Sequence, residues 1–110
     1  MTSPIRMTGP TSDVLDVLLA DPDSEHYGLQ IGAQTALPSG TIHPILARLE
    51  SIGWLTSGWE QVDPSQAKRP KRRYYRLTAD GAVAARSAVE AARKRRAGYA
   101  AQLRPQAGWS

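Results

Sequence analysis

The side chains able to do chemistry in this chain are mostly cationic, and they are bunched. Lys68-Arg69-Pro70-Lys71-Arg72-Arg73, with Arg76 close behind, makes one cluster, and Arg93-Lys94-Arg95-Arg96 makes a second. Guanidinium and ammonium groups set this close attract polyanions, although a solvated basic surface has the same composition. Groups for covalent or metal chemistry are scarce. There is no cysteine, so thiolate ligands, Cys nucleophiles and disulfides are excluded. The two histidines, His26 and His43, do not make a metal-ligand set. No HExxH, GxxxxGK[ST] or GxSxG pattern occurs. The chain is therefore expected not to be an enzyme and to need no cofactor and no metal.

The cations are unevenly distributed. The whole chain has a net charge of +4 over 110 residues. Residues 1–60 hold two basic residues against seven acidic ones, a balance of −5, whereas residues 61–110 hold twelve against three, a balance of +9. What positions the second half must be read from the elements. The length suits one domain. An apolar run such as Val17-Leu18-Leu19-Ala20 is far too short to cross a bilayer, and the N-terminus has no apolar signal core. A soluble, cytoplasmic protein is expected.

Residues 1–9 read as a flexible N-terminal arm. Thr8-Gly9-Pro10 signals a helix start, and Val14, Leu15, Leu18 and Leu19 recur at helical spacing to about residue 20. Asp21-Pro22-Asp23-Ser24 stops that helix. Ser24 can cap a second, short one that carries Tyr27, Leu29 and Ile31 and ends near Thr35. After the turn Ala36-Leu37-Pro38, a third helix places Ile42, Ile45, Leu46, Leu49 and Ile52 on an arc of about 120°. Ser39 as its N-cap would leave Pro44 to break one backbone bond. Thr41 as N-cap would put Pro44 in the donor-free first turn. Gly53 suits the C-terminal end. Trp54 to Glu60 reads as a strand, Gln61 to Pro70 as a mobile polar loop, and Arg72 to Leu77 as a returning strand. Thr78 caps a long Ala-rich helix to about Leu103, and residues 105–110 read as a tail. The fold class expected is mostly α with a small β-hairpin wing: a winged helix-turn-helix domain over 10–78, its wing at 54–77, followed by a C-terminal dimerisation helix at 79–104.

The residues inside these elements resemble a known family. His26-Tyr27-Gly28, Pro38-Ser39-Gly40-Thr41-Ile42-His43-Pro44, Gly53-Trp54-Leu55 and Arg72-Arg73-Tyr74-Tyr75-Arg76-Leu77-Thr78 are similar, in order and spacing, to the PadR family of winged-helix transcriptional regulators. The resemblance covers roughly residues 10–100, and the short C-terminus resembles the compact subgroup with a single C-terminal helix. It implies a dimer, repression rather than activation, and release of DNA when a small molecule or stress signal acts. It also implies that the C-terminal helix packs with the first helix of a partner. Two departures stand out. His43 occupies a position where the family usually has Tyr. The C-terminal helix carries Tyr99 as its sole aromatic, with Trp109 beyond it, where some compact members place a Trp lining a drug-binding pore.

Phosphate contacts dominate the affinity of such proteins, and base contacts set their specificity. The phosphate and wing role falls to Lys68, Arg69, Lys71, Arg72, Arg73 and Tyr74. Tyr75 and Leu77 alternate with Tyr74 and are expected to face Leu55 or Trp59, with Trp54 and Trp59 in the hairpin core. Base reading falls to Ser39, Thr41, His43 and Arg48. The two hydroxyls can instead cap the helix, and Arg48 can instead pair with a carboxylate on a neighbouring helix. The low bulk of Gly40, Pro44 and Ala47 would let this helix seat deeply in the groove. Dimerisation falls to Val14, Leu18, Val83, Val89, Tyr99 and Leu103. The partners expected are double-stranded DNA, a second copy of the chain and a small-molecule effector of unstated identity. The competing readings are a winged-helix module that binds an acidic protein, and a non-specific DNA-binding protein.

Overall fold

The computed structural model describes residues 4–103. Its elements run α1 (Gly9–Ala20), β1 (His26–Tyr27), α2 (Gly28–Thr35), α3 (Ser39–Ser51), β2 (Leu55–Trp59), α4 (Pro64–Ala67), β3 (Arg73–Leu77) and α5 (Ala79–Leu103). The chain is mostly helical with one small antiparallel sheet in the order β1-β3-β2. That is a winged helix-turn-helix followed by a long C-terminal helix, the fold class expected from the sequence. The tail at 105–110, with Trp109, lies outside the described residues.

The core forms where the helical stripes meet the sheet. Leu15 and Leu18 of α1, Ile31 of α2, Leu46 and Leu49 of α3, and Leu55 of β2 are almost wholly buried. Deleting any one of these side chains would cost about 2–5 kcal/mol. Thr8 caps α1 through the Thr11 amide. Ile5, in the segment read as a free arm, is only 3% exposed and belongs to this core.

Three local readings need correction. Ser24 does not start a helix, because residues 26–27 pair with β3 instead, His26 opposite Tyr75 and Tyr27 opposite Tyr74. The helix starts at Gly28, and Gln30 Oε1 accepts the Tyr27 amide. Buried His26 holds the preceding turn, with Nε2 2.9 Å from the Asp21 carbonyl and Nδ1 3.0 Å from Gln30 Nε2. Helix α3 starts at Ser39, not after Thr41. The Pro38 carbonyl accepts the amides of Thr41 and Ile42, and Pro44 sits inside the helix. The carbonyl of Gly40 thereby loses its usual donor at an exposed position, which water can satisfy. Finally, the loop after β2 contains a helical turn. Asp63 caps it by accepting from the Ser65 amide and hydroxyl, and Lys68 ends it in the left-handed region at φ 57°.

The end of α3 fits its sequence signal. Gly53 has φ 82°, its amide donates to the Glu50 carbonyl, and the Trp54 amide donates to the Leu49 carbonyl. These two bonds make a Schellman closure, which turns the chain directly into β2. At the other end of the hairpin the Thr78 hydroxyl accepts from the Gly81 amide and caps α5.

Candidate nucleic-acid interface

Helix α3 has two faces. Ile42, Ile45, Leu46 and Leu49 are buried, while Ser39, Gly40, His43, Pro44, Ala47 and Arg48 are exposed. The exposed set combines small residues with a few polar ones, so a groove can approach the backbone closely. Neither Ser39 nor Thr41 caps the helix; its N-cap is Pro38, which has no side-chain donor or acceptor. Their hydroxyls make no hydrogen bond among the described residues, and Arg48 makes no ion pair there. The His43 ring stands beside the start of α2, where a Cβ built on Gly28 would meet its Cε1 at 3.3 Å.

The wing stands next to this helix. β2 and β3 pair from Leu55↔Leu77 to Trp59↔Arg73. Leu55, Tyr75 and Leu77 turn inward and are buried, and Trp54 is buried with them. Trp59 is not hairpin core, as the sequence suggested: it is largely exposed, and the Arg73 guanidinium lies 5.4 Å from its ring centre. Arg73 Nη2 also donates to Ser57 Oγ at 2.7 Å and comes within 3.8 Å of Glu50 Oε2. Ser57 in turn donates to Glu50 at 2.6 Å. The wing is thus tied to the last turn of α3. Tyr74 spreads across Gly58, where a Cβ would fall 2.6 Å from its Oη.

A second tie closes the wing loop. The Arg69 guanidinium donates to the Glu60 carboxylate, which also accepts the Arg72 amide at 2.9 Å. Arg69 holds the Glu60 carboxyl below its ordinary pKa, with the Arg72 amide adding to the effect. The five clustered cations of the wing therefore divide. Arg69 and Arg73 are committed to carboxylates within the chain. Lys68, Lys71 and Arg72 are exposed, and their side chains make no hydrogen bond or ion pair among the described residues. Composition alone could not make this division, because it depends on Glu50, Ser57 and Glu60, which the strand register brings alongside.

The residues assigned to dimerisation do not share one surface. Val14 and Leu18 are fully buried in the chain's own core, and Val89 nearly so. They already pack within the protomer, because α1 lies against the first half of α5, so they are not available to a partner. Val83, Tyr99 and Leu103 are exposed, at 68%, 65% and 66%. Gly81, Ala85, Val89 and Ala92 face inward, and every described residue from Arg93 on is exposed. Among the described residues no group of His, Asp and Glu could hold a metal ion, and no helix is long and apolar enough to cross a membrane.

The model of the transcriptional regulator PadR-like family matches residues 17–87. Among solved structures, the chain is similar to BpsR of Bordetella bronchiseptica, whose DNA binding is regulated by 6-hydroxynicotinic acid. The TM-score is 0.65 at 19% identity, over 90% of this chain and 69% of that one. PcaV of Streptomyces coelicolor, a transcriptional regulator solved with its natural ligand, superposes at TM-score 0.63 and 26% identity, over 89% and 64%. MepR, regulator of the Staphylococcus aureus multidrug efflux pump MepA, gives 0.60 and 19%, over 89% and 67%. The chain thus spans about two thirds of the length of these proteins, and at such identities BpsR and MepR show the fold alone. No curated protein matches the chain significantly.

Proposed function

The chain belongs to the PadR-like family of transcriptional regulators, and on that premise we propose that it is a dimeric repressor that binds an inverted-repeat operator and leaves it when a small molecule or stress signal acts. The observation that carries this reading is the pairing of an exposed, nearly neutral α3 face with three unpaired wing cations beside it. Lys68, Lys71 and Arg72 hold phosphates, Ser39, Thr41 and His43 meet base edges, and Arg48, one turn further along α3 at the edge of the reading face, reaches a phosphate. A histidine can donate to a guanine acceptor or pack on a thymine methyl. One such surface is small for a selective operator. Two copies related by a two-fold axis would read half-sites about 34–36 Å apart or a multiple of that. The exposed outer half of α5, from Arg93 to Leu103, supports the dimer. Effector control is supported by the likeness to BpsR and PcaV, each described with a small ligand.

Selection of bound sequences from random duplex DNA tests this directly. The expected result is an enriched inverted repeat with fixed half-site spacing. A single unrepeated half-site would remove the dimer from the reading. No enrichment over random DNA would leave a non-specific binder, and no duplex binding at low salt would end the DNA reading.

A further inference from the structure

The hairpin that carries the wing cations is packed only at its base. Leu55, Tyr75 and Leu77 are buried there, but no residue from 56 to 74 is buried. A two-stranded ribbon without a packed face is marginal in water and free to twist. Gly58 lies within that stretch, and a glycine inside a strand weakens it further. Lys68, Lys71 and Arg72 all sit beyond this point. Among the described residues, one polar node ties the outer hairpin to α3. Ser57 Oγ donates to Glu50 Oε2 at 2.6 Å and accepts from Arg73 Nη2 at 2.7 Å. Arg73 comes within 3.8 Å of the same carboxylate and lies over the Trp59 ring. Glu50 thus holds one side chain from each wing strand, and it stands in the last turn of the helix that carries the base-reading residues.

We propose that Glu50 is a positioning residue for DNA recognition: through Ser57 and Arg73 it fixes the angle between the reading helix and the wing, so that base and phosphate contacts fall on one half-site together. Its effect on DNA rests on the sequence-specific binding proposed above, which it deepens. Base edges demand a fixed register, whereas phosphates carry no sequence information. On an operator, a wing already held at the right angle spares the cost of ordering it on binding. On random duplex, helix and wing can settle on phosphates separately, and nothing is gained by holding them together. Glu50 therefore acts on the ratio of operator to random affinity, not on affinity at large. The effect required is within reach of an exposed ion pair, which supplies at most about a five-fold change. About three-fold at each protomer multiplies to about ten-fold in a dimer. Arg73, engaged in the tie, supports the wing and leaves phosphates to its neighbours.

The test compares the wild-type chain with Glu50→Ala, with Ser57→Ala, and with the exchange of Glu50→Lys and Arg73→Glu together, which restores the ion pair with its polarity reversed. In the full chain without DNA, residual dipolar couplings of the amides in α3, 57–60 and 72–74 should fit one rigid body in the wild type and fail to do so in both alanine variants. Tm should stay close to the wild-type value, because exposed ion pairs add little to stability. By anisotropy, the ratio of operator to random affinity should fall about ten-fold in both alanine variants, with random-duplex affinity undiminished. The exchange should recover the ratio to within about three-fold of wild type. A ratio unchanged in Glu50→Ala and Ser57→Ala, or operator and random affinity falling together, would overturn the proposal. So would an exchange variant weaker than Glu50→Ala, which would make Arg73 itself a DNA contact. A wild type that binds operator and random duplex alike would sink the sequence-specific reading and the effect on the ratio with it. Couplings that still fit one rigid body in Glu50→Ala would sink the positioning role whatever the DNA result.

Discussion

Glu60 does more for the wing than its position before a basic loop suggests. It joins the two ends of residues 61–71 by accepting from Arg69 and from the Arg72 amide, while the Arg72 guanidinium, which makes no hydrogen bond or close ion pair among the described residues, adds a longer-range attraction. Its carboxyl is held below the ordinary value of 4.5, first by Arg69. A depressed folded-state pKa adds stability that is present above the unfolded pKa and lost as pH falls through the folded one. The Arg72 amide shift should therefore titrate with a midpoint below 4.5, and Glu60→Gln should lower Tm at pH 7 by an amount that shrinks as pH falls below 4.5. An unchanged melt at pH 7 would show that the tie contributes nothing. His43 and Arg72 separate the other two roles. Arg72→Ala should weaken every duplex alike, and His43→Ala should change which sequence is preferred, by about 1–3 kcal/mol at one base pair. Sequence preference unchanged in His43→Ala would remove this residue from the reading face. The cationic residues were legible in the sequence, since their clustering is local. Their partners were not, because Glu50, Ser57 and Glu60 meet Arg69 and Arg73 only once the hairpin register is set.

At the scale of elements, periodicity located every long helix and both wing strands. α3 carries a stripe, Ile42, Ile45, Leu46 and Leu49, that leaves little choice about which face turns inward. The misreadings fall where tertiary contact outweighs local preference. His26-Tyr27 is too short to announce a strand, and it becomes one because β3 offers a free edge. Pro44 suggested a late start for α3, but burial of Ile42 and the two amides held by Pro38 offset the lost bond. Of the described glycines, Gly81, where α5 meets the entry to β2, has the closest neighbours. A Cβ on Gly81 would lie 2.2 Å from the Trp54 carbonyl oxygen and 2.6 Å from its Cα. Backbone cannot move aside cheaply there, so Gly81→Ala should destabilise by about 1–3 kcal/mol as an overpacked core site does. For a domain of this size that is a fall in Tm of at least about 4 °C, and an unchanged melt would show that α5 can shift away from Trp54.

At the scale of the whole molecule, two quantities bear on how it engages DNA. The radius of gyration is 17.4 Å, against about 13 Å for a compact chain of this length. The excess reflects α5, whose 25 residues extend about 37 Å and whose residues from Arg93 to Leu103 are all exposed. Tyr99 and Leu103, one turn apart on that helix, lie exposed, and the proposed second copy would cover them. Charge is the other quantity, and what counts is the unpaired part of it. Per protomer the interface has four free cations, Arg48, Lys68, Lys71 and Arg72. Releasing one counterion for each phosphate they neutralise gives a slope of log K against log[salt] of about −7 for a dimer and about −4 for a monomer. Counting Arg69 and Arg73 as well would give about −11 for the dimer. Fluorescence anisotropy on the selected operator between 50 and 200 mM salt separates these values. Arg72→Ala should then shallow the slope by about 2 in the dimer and by about 1 in a monomer. A wild-type slope near −11 would mean that DNA draws Arg69 and Arg73 away from Glu60 and Glu50, so the wing would have to rearrange on binding.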